Sequence, residues 1–174
     1  MINYKEILPH IKAFVFDVDG VLSRTTVGMD ESGKPLRTTS VKDGYALQLA
    51  VKHGYRIAII TGANTETIRM RYQYLGIEDI YLSSTYKIKD YEDFKLRHGL
   101  QDGEILYMGD DIPDLPVLKK VGLPVCPADA AQEVKEAVSY ISPISGGNGC
   151  VREIIEQTMK AQDAWMNEQT AFGW

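Results

Sequence analysis

Short apolar segments rich in β-branched and aromatic residues recur along the chain, with amphipathic stretches between them. They stand at 13–18 (AFVFDV), 56–61 (RIAIIT), 79–82 (DIYL), 104–109 (EILYMG), 123–127 (LPVCP) and, more weakly, 140–142 (YIS). Their length and residue types predict strands. Helical periodicity appears near 43–53, 64–75, 87–98, 112–120 and 129–138, with a last stretch over about 149–166. Such alternation predicts an α/β fold, a Rossmann-like doubly wound and mostly parallel sheet with helices on both faces. Right-handed crossovers then bring the carboxyl ends of the strands to one edge, where ligands of such sheets bind.

One segment breaks the rhythm. Between the first strand and the first helix, TTVGMDESGKPLRTT (25–39) carries the turn-rich run DESGKP between two short extended stretches. This predicts a β-hairpin inserted where a crossover helix would otherwise follow. Its place directly after the first strand makes it a candidate flap or assembly surface. The tail MNEQTAFGW (166–174) is polar apart from its aromatics and is expected to be mobile unless it docks. No repeat or linker divides the chain, so 1–174 is expected to be a single domain.

Composition narrows the partners. With 44% hydrophobic and 25% charged residues the chain is that of a globular protein, and its net charge of -5 disfavours nucleic acid or an anionic membrane as partner. A small anionic substrate would need a local cationic site. Cys126 and Cys150 have neither disulfide-framework nor zinc-site spacing. The opening MINYKEILPHIKAF lacks the apolar core of a secretory leader, and no run approaches the ~18 apolar residues of a membrane span. A cytoplasmic, soluble protein is therefore expected.

Four strand ends or helix starts carry unusual chemistry. Asp17 and Asp19 sit two residues apart at the end of the first strand. Such a pair is costly near a buried strand unless it binds a cation or shares a proton, although a solvated pair is ordinary in a loop. Thr61 and Gly62 follow the second strand and offer a hydroxyl and backbone N–H groups to a phosphate, or serve turn geometry alone. Lys87 opens a helix, where its charge opposes the macrodipole unless an anion is near; Lys89 is its rival. Finally, Asp110, Asp111 and Asp114 follow Gly109 in YMGDDIPDLPVL. Helix capping accounts for one or two of these acids, but paired acids at two strand ends point to magnesium, which takes a few carboxylates and keeps sites for water and phosphate oxygens. Metal, nucleophile, second acid, hydroxyl and lysine are together the parts of a phosphoryl-transfer site.

DVDGV, the TG pair, a lysine and GDDIPD, in this order and strand placement, resemble the four motifs of the haloacid dehalogenase superfamily of phosphatases. SVKDGYALQLA, VGLPVCPADA and SGGNGCVREI extend the resemblance to its short subfamily without a large cap, over nearly the whole chain. The resemblance implies that Asp17 attacks phosphorus to form an aspartyl-phosphate and that Asp19 protonates the leaving oxygen and then activates water. It further implies Mg²⁺ held by Asp17, the backbone carbonyl of Asp19 and Asp110, with Asp111 and Asp114 in support. Thr61, Gly62 and Lys87 would hold the phosphoryl group, and Lys87 is preferred to Lys89 for its spacing to Gly109.

The hairpin resembles the element by which four copies assemble so that a neighbouring chain closes each site. Arg71, with Arg69, would meet a substrate carboxylate from a neighbour, while Gly146 and Gly147 of GGNG would border the site. LSSTY stands where relatives often have Gln-Gly before the lysine, and Arg24 where they often have an acid, so the sugar contacts are open. The implied substrate is 3-deoxy-D-manno-octulosonate 8-phosphate, a sugar of lipopolysaccharide synthesis. A nine-carbon 2-keto-3-deoxy sugar acid 9-phosphate is the alternative, disfavoured because Ala63 offers no acid. A non-catalytic assembly subunit is a reading of another class, which intact Asp17 and Asp19 disfavour.

Overall fold

The sheet grows outward from Ala13–Phe16 (β1), whose four side chains are all buried. In the computed structural model, which describes residues 3–167 and 169–173, β1 pairs in parallel with both Arg56–Ile60 (β4) and Ile105–Met108 (β6). Asp79–Tyr81 (β5) lies outside β4, while Leu123–Cys126 (β7) and Tyr140–Ile141 (β8) continue beyond β6, giving the order β5-β4-β1-β6-β7-β8 with every pairing parallel. Strands covered on both faces need apolar side chains at every position, which is why they read as continuous runs in the sequence.

Successive residues of β1 supply two different cores. Phe14 and Phe16 face Val41–Lys52 (α2), Glu66–Tyr74 (α3) and Cys150–Ala161 (α7), among Leu47, Ile68 and Ile154. Ala13 and Val15 face Lys87–Arg97 (α4), Leu115–Leu118 (α5) and Gln132–Ala137 (α6), among Tyr91, Phe94 and Val134. A short helix, Tyr4–Ile7 (α1), precedes β1 and has no counterpart in the apolar periodicity.

The chain steps from β1 to β4 and β5 on one side, then returns to β6 and moves out through β7 and β8 on the other. The strand order thus reverses between β1 and β6, and the crevice beyond their carboxyl ends is open to a ligand.

Several elements are shorter than the periodicity predicts. The 112–120 region forms a turn at Ile112–Asp114 before α5, with prolines at the start of both pieces. Helix α6 begins only after Pro127 and the Asp129 turn, and α7 stops at Ala161, before Asp163 takes a positive φ of 53°. The inserted segment is a hairpin with strands of two residues, Gly28–Met29 (β2) and Pro35–Leu36 (β3). Asp30 closes its turn by accepting from Ser32 N and Lys34 N at 2.8 and 2.9 Å.

Two long-range ties complete the frame. Asp43 of α2 is buried, and its Oδ1 accepts from Arg152 N at 2.7 Å, capping the first turn of α7 from a neighbouring helix. The tail docks on α2: Ala171 is buried, and its carbonyl accepts the Tyr45 hydroxyl. Trp174, its last aromatic, lies outside the described residues. No helix among the described residues is long and apolar enough to cross a membrane.

Phe14→Ala should destabilise the fold by about 3–5 kcal/mol, read as a lower urea midpoint with an unchanged slope, because a large aromatic is lost from a closed core.

Candidate active site

Asp17 continues the ladder of β1 by one step, its N–H donating to Met108 O at 3.1 Å. The chain then opens into a wide turn over Val18–Leu22, closed by Ser23 N on Val18 O at 2.8 Å. Gly20 holds φ at +81°, and a Cβ there would stand 1.9 Å from Asp110 Oδ2. A glycine is therefore what lets the loops after β1 and β6 meet.

Three carboxylates converge at this meeting. One oxygen from each of Asp17, Asp110 and Asp114 lies within 4.8 Å of the others. Asp17 Oδ1 accepts from Val18 N at 2.7 Å, and Oδ2 faces Lys87 Nζ at 2.8 Å. Lys87, buried as the first residue of α4, also meets Asp114 Oδ1 at 2.7 Å. Asp114 is fully buried, and both its oxygens are engaged: Oδ1 accepts from Lys87 and from the Tyr107 hydroxyl at 2.6 Å, while Oδ2 accepts from Asp110 N and Asp111 N at 3.0 and 3.3 Å. Asp114 thus clamps the loop after β6 and has little capacity left for another ligand. The exposed Asp111 turns to its own helix start, where its Oδ1 accepts from Ile112 N at 2.8 Å. Asp110, half-buried, receives no side-chain hydrogen bond or ion pair from the described residues.

The charge balance is unfavourable without a cation. Burial, then the negative charge of Asp114, pushes the Asp17 carboxyl up to about 7 despite Lys87. Burial, then Asp17 and Asp114, pushes Asp110 up to about 8. Burial works against the charged form of Lys87, but Asp17 and Asp114 outweigh it and hold the ammonium above the ordinary lysine value. One ammonium among three acids leaves excess negative charge, and the donor set is all oxygen, the chemistry preferred by a small hard dication such as Mg²⁺. The residues present fit that ion: of the three clustered carboxylates, Asp17 and Asp110 keep capacity for it.

The whole cleft, about 700 Å³, is lined in addition to these groups by Asp19, Gly20, Thr25, Thr61, Gly62 and Ser84 among others. Thr61 is buried just beyond β4, and its Oγ1 accepts from Ala63 N at 3.1 Å. Helix α3 starts at Glu66 rather than at 64, so Thr61 and Gly62 present a loop to the cleft instead of a helix N-terminus. Lys89 points elsewhere, its ammonium 5.2 Å from the centre of the Tyr86 ring.

The remaining candidate residues, of which Arg71 and Arg69 are expected to serve a neighbouring chain, lie outside this cleft. Arg71 lies in a groove between the hairpin and α3, its guanidinium so close to α2 that a Cβ on Gly44 would stand 2.6 Å from it. Arg69 bonds the Ile80 carbonyl at 3.3 Å. Gly146 and Gly147 pack behind the nucleophile turn, where a Cβ on Gly146 would stand 1.9 Å from Gly20 O and Gly147 N donates to Val21 O at 2.8 Å. Their backbone supports the turn rather than lining the cleft.

The sequence pattern does not single out Tyr107, which reads as an ordinary strand aromatic, or Arg37. From the end of the hairpin, Arg37 Nε and Nη2 donate to Asp19 Oδ1 and Oδ2 at 2.7 and 2.8 Å. The hairpin's position after the two aspartates was the one available signal. Asp129 was also missed; it lines the cleft and accepts Gly146 N at 2.8 Å.

The family described as haloacid dehalogenase-like hydrolase matches residues 78–154. The chain is 35% identical over 153 residues to the 3-deoxy-D-manno-octulosonate 8-phosphate phosphatase of Escherichia coli, covering 88% of this chain and 81% of that one. A hydrolase of the haloacid dehalogenase superfamily from Legionella pneumophila has a structure similar to this one, with a TM-score of 0.88 at 37% identity over 91% of this chain and 87% of the other. The 3-deoxy-D-manno-octulosonate 8-phosphate phosphatase of Moraxella catarrhalis, solved with a magnesium ion, a phosphate ion and a KDO molecule, gives 0.92 at 30% identity over 99% of this chain and 100% of the other.

Binding of Mg²⁺ should raise the thermal midpoint, by the equivalent of about 2.7 kcal/mol at a hundredfold excess over Kd. Asp110→Asn should raise the midpoint in EDTA, by relieving repulsion, and abolish the magnesium-dependent rise; differential scanning fluorimetry reads both.

Proposed function

Because the chain belongs to the haloacid dehalogenase-like hydrolases, and within them to the 3-deoxy-D-manno-octulosonate 8-phosphate phosphatases, we propose that its acidic cleft removes phosphate from that eight-carbon sugar acid through an aspartyl-phosphate. The observation that carries this reading is the Asp17 carboxylate: buried at the end of β1, fixed by Val18 N and Lys87, and facing an open cleft.

Asp17 attacks phosphorus, and the bond from phosphorus to the sugar oxygen breaks. Asp19 gives its proton to that leaving oxygen. Water then attacks the phosphorus of the aspartyl-phosphate, Asp19 takes up the water's proton, and the bond to Asp17 breaks to restore the carboxylate. Thr61, Gly62 and Lys87 hold the phosphoryl oxygens while Asp114 and Tyr107 keep Lys87 in place. Asp17, the Asp19 carbonyl and Asp110 would hold magnesium, which when bound would supply positive charge against the repulsion between a phosphate dianion and a carboxylate.

The product is a sugar for lipopolysaccharide synthesis, and the cytoplasm is the proposed compartment. Met29 and Leu36 on the hairpin are exposed, as are Met70 and Tyr74 on α3. These exposed apolar side chains support assembly into a homotetramer in which a neighbour closes each cleft and Arg71 meets the substrate carboxylate bidentately.

Asp17→Asn should abolish phosphate release without changing the sedimentation coefficient; full activity would remove Asp17 as nucleophile. A higher kcat/KM for the octulosonate 8-phosphate than for a nonulosonate 9-phosphate is expected, and the reverse order would transfer the enzyme to nine-carbon substrates. Leu36→Asp should dissociate the tetramer in the same ultracentrifuge experiment.

A further inference from the structure

Three donors converge on Asp19. Arg37 grips both carboxylate oxygens in a fork at 2.7 and 2.8 Å, and the Ser23 hydroxyl donates to Oδ1 at 3.0 Å. The Arg37 side chain is itself 13% exposed, against 42% for Asp19, and its Nη1 donates to Thr65 Oγ1 at 3.1 Å just ahead of α3. Arg37 lines the groove between the hairpin and α3 and not the acidic cleft, whereas Asp19 lines the cleft. The guanidinium thus reaches Asp19 from the hairpin side.

A planar guanidinium that holds both oxygens fixes the plane of the carboxylate as well as its position. Oδ1 takes two of the hydrogen bonds and Oδ2 only one, so Oδ2 keeps room to accept another. Each hydrogen bond to the Asp19 carboxylate from the described residues comes from a donor, and the arrangement presents it as an acceptor. To hand a proton to a leaving oxygen, Asp19 must release an arm of the fork; to take one from water it can keep both.

We propose that Arg37 is a positioning residue for the second half of the reaction, holding Asp19 as the base for the water that hydrolyses the aspartyl-phosphate. In that step the water oxygen bonds to phosphorus, the bond from phosphorus to Asp17 breaks with its electron pair returning to the carboxylate, and the water's proton passes to Asp19. No further reactant is required. The assignment rests on the aspartyl-phosphate reading above and adds to it a residue outside the four motifs.

The test uses p-nitrophenyl phosphate, whose nitrophenolate leaves without needing a proton, mixed rapidly with the intact enzyme in saturating magnesium. Arg37→Met should release a burst of about one nitrophenolate per site, then turn over about 10²-fold more slowly than wild type, the scale of general-base catalysis. Acid quenching should trap phosphate on the protein during that slow phase, and Arg37→Lys should recover part of the rate. Arg37→Gln carries the same expectation if the methionine variant fails to fold. An unchanged steady-state rate, or a slow rate with no burst and no trapped phosphate, would overturn the assignment. Asp19→Asn in the same assay separates the two levels. If it bursts and Arg37→Met does not, only the role of Arg37 falls; if Asp19→Asn turns over like wild type and traps nothing, the aspartyl-phosphate reading falls with it.

Discussion

The Lys87 ammonium, buried between Asp17 and Asp114, is the interaction on which the site depends. Truncating one member of a buried charged pair costs about 3–5 kcal/mol, because the remaining charge stays out of water and unpaired. Here the same ammonium joins three elements: the end of β1, the start of α4 and the loop after β6. Asp114 extends the tie through its second oxygen to the backbone of Asp110 and Asp111. Asp17 and the acidic loop are consequently placed by one network, and the ammonium is held in position by the same two acids.

Around that network the two halves of the sheet bring different chemistry. The β1–β4 side supplies Asp17, Asp19 and the hydroxyl of Thr61, groups suited to attack, proton transfer and phosphate binding. The β6 side supplies Asp110 and Asp114, of which one lines the cleft with its carboxylate unengaged by hydrogen bonds from the described residues and the other is consumed by them. This division explains how neighbouring aspartates in one motif differ: the Asp110 carboxylate takes no hydrogen bond or ion pair from the described residues, Asp111 caps a turn, and Asp114 is buried as a clamp.

Much of this was legible in the sequence. Strands covered on both faces leave unbroken apolar runs, and the functional groups follow directly at their ends, so Asp17, Thr61 and Asp110 can be placed from one-dimensional pattern alone. Lys87 drew notice as a cation at a helix start, but a surface lysine explains that position equally, and only the family spacing to Gly109 separated it from Lys89. What stayed hidden are contacts whose partners carry no local signal. The pairing of Arg37 with Asp19 crosses a hairpin whose strands are two residues long, and the capping of α7 by Asp43 spans 109 residues. Tyr107 has an apolar ring that satisfies the strand pattern and a hydroxyl that the pattern does not register. Helix ends were misplaced where Pro113, Pro116 and Pro127 impose turns that hydrophobic periodicity ignores.

The contact of Gly146 with the Gly20 carbonyl has a bearing on how the pocket can diversify. With no room for a Cβ at Gly20, which would meet the Asp110 carboxylate, or at Gly146, which would meet the Gly20 backbone, the turn that forms one wall of the cleft is a rigid stop. Size selection among related sugar acids is therefore left to the loop carrying Ala63, which lines the cleft and can change side chain without meeting that turn. Adaptation or engineering toward new leaving groups has its freedom on that loop and almost none beneath the turn.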